Sequence, residues 1–156
     1  MATIGIQVVP LATIPLNSDF DVRAADEPRI VLVVDDERVI ADTLSIILSR
    51  SGFAVHTAYD AASAMELART IPPHLLLSDV MMGPGMDGTQ LAMELVKSYP
   101  DCKVILFSGH AATQDLLQKS RERGHDFMML TKPLHPAELL TQIDICFDQS
   151  RVAATA

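Results

Sequence analysis

Ile30-Val31-Leu32-Val33-Val34-Asp35-Asp36-Glu37 is the stretch on which the fold turns. An apolar run without alternation gives way at once to consecutive acids. A strand with one wet face would alternate, whereas an unbroken, β-branched run of this length is a parallel strand covered on both faces. A helical pattern follows from 38 to 51, with Val39, Ile40, Leu44, Ile47 and Leu48 on its apolar side and Gly52 placed to stop it. One buried strand, an acidic turn and one amphipathic helix make the unit from which the rest is read.

The unit recurs downstream. Residues 53–59 form a second strand and 61–71 a second helix, with Ala64, Leu67, Ala68 and Ile71 as its stripe and Pro72-Pro73 as its end. A short third strand, 74–78, runs into Asp79, and a loop rich in Gly and Met leads to a helix over about 88–99. Strand four spans 103–107 and closes at Ser108-Gly109-His110, before a weakly patterned helix over roughly 112–123. Strand five spans 126–131 and ends at Lys132-Pro133, and Pro136 opens a last helix to about Asp148. Strand and helix alternating in this way predict an α/β fold: a doubly wound, five-stranded parallel sheet with helices on both faces, joined by right-handed crossovers.

Such sheets bind ligands beyond the carboxyl ends of their strands, where the strand order switches. The residues standing there are Asp35 and Asp36, Asp79, Ser108 and Lys132. Carboxylates converging in one crevice repel, since two charges about 4 Å apart cost about 4 kcal/mol at an effective dielectric of 20. A cation must therefore share the site. Carboxylate oxygens with room for water are the donors Mg²⁺ takes, and Lys132 adds a further positive charge. The sum of one divalent ion, one lysine and those acids is neutral, so one carboxylate can accept a phosphoryl group.

Val33-Val34-Asp35-Asp36-Glu37, Leu77-Ser78-Asp79-Val80-Met81-Met82 with Met86-Asp87-Gly88, Phe107-Ser108-Gly109 and Thr131-Lys132-Pro133 resemble, in order and spacing, the signatures of bacterial response-regulator receiver domains. The resemblance covers about Arg29 to Asp148 and implies the flavodoxin-like (βα)5 receiver fold. It implies that Asp79 is the phosphoacceptor, attacking a phosphohistidine on a partner, and that Asp35, Asp36, Asp79 and the Met81 backbone carbonyl hold Mg²⁺. It further implies that Lys132 pairs with a phosphoryl oxygen, that Ser108 is the switch hydroxyl, and that the Lys132-Pro133 bond is cis. The departures are a loop after Asp79 one residue longer than usual, a fifth-strand segment between Gly124 and Lys132 that is also one residue longer than usual, and Met129 where the family carries an aromatic, with Phe127 two residues earlier on the same face. His110, following Gly109, also bears on water access to an acyl phosphate.

The domain reading is an N-terminal arm over residues 1–28, broken by Pro10 and Pro15 and without sustained period, a receiver over 29–149, and a tail over 150–156 with no output domain. The expected function is a signalling receiver and not an enzyme with a substrate of its own. It takes a phosphoryl group from a sensor histidine kinase or histidine phosphotransferase and signals to a downstream protein through the fourth helix, fifth strand and fifth helix. A monomer or a weak phosphorylation-dependent dimer is expected. The alternative is a receiver-like module that binds partners without phosphate. A haloacid-dehalogenase-type phosphatase needs Asp-x-Asp where this chain has adjacent acids, and a flavodoxin-like cofactor binder needs a Ser/Thr- or Gly-rich phosphate loop after the first strand.

Composition narrows the partners. The chain has 156 residues, 12 Lys and Arg against 20 Asp and Glu, and a net charge of −8, which disfavours direct nucleic-acid binding. No apolar run reaches the roughly 20 residues of a membrane span, and no basic residue precedes Arg23, as a secretory signal would want. Cys102 and Cys146 lack the pattern of a disulfide scaffold, so a cytoplasmic setting is expected. Each residue also has a plainer reading: Asp35 to Glu37 as helix-start acids, Asp79 as a turn residue, Lys132 as a solvated lysine. His56, His74, His110, His125 and His135 lack metal-ligand spacing, and Met81, Met82 and Met86 suit loop padding.

Overall fold

In the computed structural model the described residues are 27–109 and 113–155. Most of the arm and His110 therefore lie outside them. Among the described residues the chain alternates β1 (Ile30–Val34), α1 (Arg38–Arg50), β2 (Ala54–Ala58), α2 (Ala61–Thr70), β3 (Leu75–Asp79), α3 (Gly88–Ser98), β4 (Lys103–Ser108), α4 (Thr113–Glu122), β5 (Met128–Thr131) and α5 (Pro136–Thr155). The strands form one parallel sheet in the order β2-β1-β3-β4-β5. The expected doubly wound α/β architecture is the one observed.

Alternate side chains of each central strand enter different cores, which explains the absence of polar residues in β1. Leu32 and Val34 join Leu76, Leu106, Ala64, Leu91, Leu95 and Leu117 on the face covered by α2, α3 and α4. Val31 and Val33 join Leu75, Leu77, Ile105, Phe107, Leu44, Leu48 and Ile143 on the face covered by α1 and α5. Burying each large aliphatic side chain contributes about 1.5–3 kcal/mol. The start of β1 is closed by His74, whose Nδ1 accepts the Ile30 backbone N–H at 2.8 Å, so this histidine has a structural use.

Several boundaries differ from the sequence reading. Strand five begins at Met128, two positions later than expected, because the preceding residues are spent in a turn through Gly124, at φ +88°. There Arg121 pairs with Asp126 at 3.1 Å and His125 stacks on Phe127 at 5.5 Å. Phe127 and Met129 nonetheless pack on the same core, as the alternation implies. Helix α5 runs on to Thr155, past the expected end at Asp148. No Gly or Pro follows Pro136 to stop it, and its last residues include good helix formers.

Strand order decides where chemistry can occur. After β1 the chain moves to one side for β2, then returns for β3 on the other, so the carboxyl ends of β1 and β3 flank the switch point. Helix α3 is then anchored close behind β3. Asp87 caps it by accepting from the Thr89 and Gln90 backbone N–H groups, and the Gln90 side chain accepts from the Asp87 N–H in a complete capping box. Gly88 donates its N–H to the Val80 carbonyl at 2.9 Å. A Cβ at this position would run into the Asp79 carbonyl oxygen and stand 2.8 Å from Val80 Cα.

Gly88→Ala is therefore expected to destabilise the fold by about 1–3 kcal/mol, the range for forced overpacking, and to weaken divalent-cation binding by displacing the Asp79 backbone. Chemical denaturation and a cation titration check this; an unperturbed variant in both contradicts the tight packing described.

Candidate functional site

The backbone places each site residue one step past, or at the end of, a strand. Asp35 follows β1 and its N–H still donates to the Ala58 carbonyl at 3.3 Å; Lys132 follows β5 and its N–H donates to the Ser108 carbonyl at 3.1 Å. Asp79 ends β3 in register with Phe107, and Ser108 ends β4 in register with Thr131. Sheet pairing, not loop flexibility, thus sets the separations. The Lys132-Pro133 bond is cis, as the resemblance implied.

The acids converge as the sequence suggested. Asp35, Asp36 and Asp79 each offer an oxygen lying within 4.8 Å of the others, the only group of its kind among the described residues. Asp35 is fully buried and Asp79 nearly so, while Asp36 is exposed. Lys132 Nζ donates to Asp35 Oδ2 and to Asp79 Oδ2, each at 3.2 Å, and sits 5.2 Å from the Phe107 ring centroid. The Glu37 N–H donates to Asp35 Oδ1 at 2.9 Å, and the Gly83 N–H to Asp36 Oδ2 at 3.2 Å. Met81 brings its N–H to the Asp79 carboxylate. Ser108 is buried beside them.

Burial and mutual repulsion leave the acids short of positive charge. Burial is the largest influence on Asp35 and pushes it up to about 6, with the Asp79 charge adding to the rise and the Glu37 N–H and Lys132 opposing it. Burial likewise raises Asp79, against the pull of Lys132 and the Met81 N–H. Burial alone would lower Lys132, but the attraction of Asp79 and Asp35 outweighs it and holds the amine above its ordinary value. One lysine does not neutralise this pocket. A hard divalent ion fits the donor set: carboxylate oxygens, one side open through exposed Asp36, and no thiolate or imidazole.

Sequence reasoning named Asp35, Asp36, Asp79, Ser108, Lys132 and Met81, and the structure brings the acids and the lysine into contact with Ser108 and Met81 adjacent. It missed the part of Gly88, which lets α3 approach the Asp79 carbonyl, and that of Gly83, whose N–H holds Asp36. A glycine opening a helix immediately after an Asp cap was the available signal for the first; nothing local marked the second.

The sign of the pH dependence follows. Between the ordinary carboxylate range and about 6, Asp35 keeps in the folded state a proton that the unfolded chain has lost, so its contribution to stability falls as pH rises through that window. Each tenfold change in proton affinity is worth about 1.4 kcal/mol. Asp35→Asn is expected to melt at nearly the wild-type temperature at pH 4 and at a higher temperature than wild type above pH 6, when divalent ions are absent. Equal melting temperatures across the range contradict the buried charge.

With that geometry in hand, the likenesses to known proteins agree with one another. A model of the response regulator receiver domain matches residues 31–144. The probable transcriptional regulatory protein TcrX of Mycobacterium tuberculosis is 34% identical over 121 residues, covering 78% of this chain and 50% of that protein. The chain thus spans about half the length of that relative. Among solved structures, a CheY-like response regulator receiver domain protein from Methanospirillum hungatei superposes with a TM-score of 0.73 at 26% identity, over 81% of this chain and 99% of that one. The signal receiver domain of an HD domain-containing protein from Pseudomonas fluorescens gives 0.73 at 27% identity, over 83% and 93% of the two chains. Acids, lysine and hydroxyl at successive strand ends of a β2-β1-β3-β4-β5 sheet, together with these matches, place the chain in the response regulator receiver family of two-component systems.

Proposed function

We propose that the chain accepts a phosphoryl group on Asp79 from the phosphohistidine of a sensor histidine kinase or histidine phosphotransferase, and conveys the modification to a downstream protein by a change of conformation. The observation that carries this reading is Lys132 Nζ at 3.2 Å from both Asp35 and Asp79 in a pocket with an unbalanced excess of acid. Asp79 supplies the attacking oxygen; its new bond to phosphorus forms as the bond from phosphorus to the donor imidazole nitrogen breaks, and the electron pair leaves with the imidazole.

Asp35, Asp36, Asp79 and the Met81 carbonyl are the residues to hold Mg²⁺, which when bound supplies neutralising charge to the transferring phosphoryl oxygens. Lys132 then turns from two carboxylates toward one phosphoryl oxygen, and Ser108 reaches another. Positioning and charge are most of what phosphoryl transfer requires, so the pocket needs no separate general base. The chain is in this account a signalling receiver that catalyses only its own modification. Among the described residues no helix is long and apolar enough to cross a membrane, in keeping with a cytoplasmic setting and a protein partner. Self-association is at most a weak, phosphorylation-dependent dimer.

A phosphate-independent interaction module is the second reading. One observation favours it: Met129, and not an aromatic residue, pairs with Leu106 at the second position of β5, so a serine-to-aromatic relay lacks its usual second member.

Intact-mass measurement after incubation with acetyl phosphate separates the two. An adduct of one phosphoryl group that requires Mg²⁺ and is absent from Asp79→Asn is expected; an unmodified wild-type chain sinks the first reading and leaves the second.

A further inference from the structure

Arg38 opens α1, just past the exposed metal-site acid Asp36, and its position is poor for stability. The amino end of a helix carries partial positive charge, so a cation is least favoured there. No acid in the first turn offsets it, and the N-cap Glu37 makes no side-chain cap. Arg38 is exposed and makes no ion pair among the described residues. Its guanidinium lies instead over the Tyr59 ring, 4.2 Å from the centroid, and also interacts with the Tyr59 hydroxyl, which donates to Asp42 Oδ1 at 2.6 Å.

Tyr59 is also a wall of the cleft beside the acid pocket. It lines, with Asp36, Asp60, Met65 and Met82, a space of about 690 Å³. Arg38, over the Tyr59 ring, therefore stands at the edge of a space whose lining reaches the acid pocket through Asp36. A phosphoryl group approaching a chain of charge −8 meets Asp36 and Asp60 in the lining of this space, with Asp42 bonded to the Tyr59 hydroxyl beside them. Lys132 lies deeper, 19% exposed and already engaged by two carboxylates. An exposed stacking contact on tyrosine is weak enough to release the guanidinium to an incoming anion.

We propose that Arg38, poised on Tyr59, is the residue that draws the anionic phosphodonor to the acid pocket. The inference rests on Asp79 being the phosphoacceptor and adds the cation that offsets the rim's negative field. Arg38 takes no part in bond making. With acetyl phosphate, an Asp79 oxygen bonds to phosphorus, the bond from phosphorus to the acetyl oxygen breaks, and acetate leaves with the electron pair.

The test uses the full chain with saturating Mg²⁺ and limiting acetyl phosphate, following the initial rate of adduct formation for wild type, Arg38→Ala and Arg38→Lys. Steering by a single rim charge predicts a rate about fivefold lower for Arg38→Ala at low salt and near wild type for Arg38→Lys. The difference should collapse at about 1 M salt, where the screening length is roughly 3 Å. Because the helix end disfavours a cation, the melting temperature of Arg38→Ala should be equal to or above that of wild type. Equal low-salt rates overturn the inference while leaving Asp79 as the acceptor, and so does a salt-independent loss accompanied by a lower melting temperature. A wild-type chain that takes no phosphoryl group overturns both.

Discussion

Lys132 Nζ stands 3.2 Å from Asp35 and 3.2 Å from Asp79, and the arrangement of the carboxyl edge of the sheet depends on that shared contact. Two buried acids side by side are tolerable only with a cation between them, because removing one partner of a buried charge cluster leaves an uncompensated ion. The amine reaches both because β5 holds its backbone against Ser108, and because β1 and β3 are neighbours at the switch in strand order. The parallel sheet is thus the device that brings residues 97 positions apart in sequence to one point.

One amine against three carboxylates leaves the pocket poised and unbalanced. Burial holds Asp35 up at about 6 and raises Asp79 in the same direction, in each case against the pull of Lys132. A divalent ion held by these acids would supply the missing positive charge, and under the proposed function a phosphoryl group on Asp79 would offer Lys132 a better partner than either carboxylate. Regulation in this account is an exchange of partners by one lysine. At the rim the same logic extends outward: Arg38 occupies a helix end that disfavours it, beside acids that would repel a donor.

Much of this was legible in the sequence. The unbroken run from Ile30 to Val34 fixed the strand as buried on both faces, and the polar residues at successive strand ends, Asp35, Asp79, Ser108 and Lys132, were already the contents of the site. Period and punctuation failed where the physics is not local. Phe127 is a good strand former, but it and Asp126 lie in an irregular stretch before β5, where Asp126 pairs with Arg121 and Phe127 stacks on His125. Helix α5 continues because nothing stops it, and an absent stop signal is harder to read than a present one. Gly88 was visible only as a letter in a motif; its reason, a backbone passing too close to Asp79 for any Cβ, exists only in three dimensions.

The measurement that tests the account most directly is borohydride reduction of the phosphorylated chain followed by peptide mass analysis. An acyl phosphate on a carboxylate is reduced to the alcohol, which would mark its position as homoserine. The account predicts homoserine at position 79 and at no other acid, with none in chain left without donor or Mg²⁺. Homoserine at Asp35 or Asp36, or a stable phosphoryl adduct that borohydride leaves untouched, would contradict it.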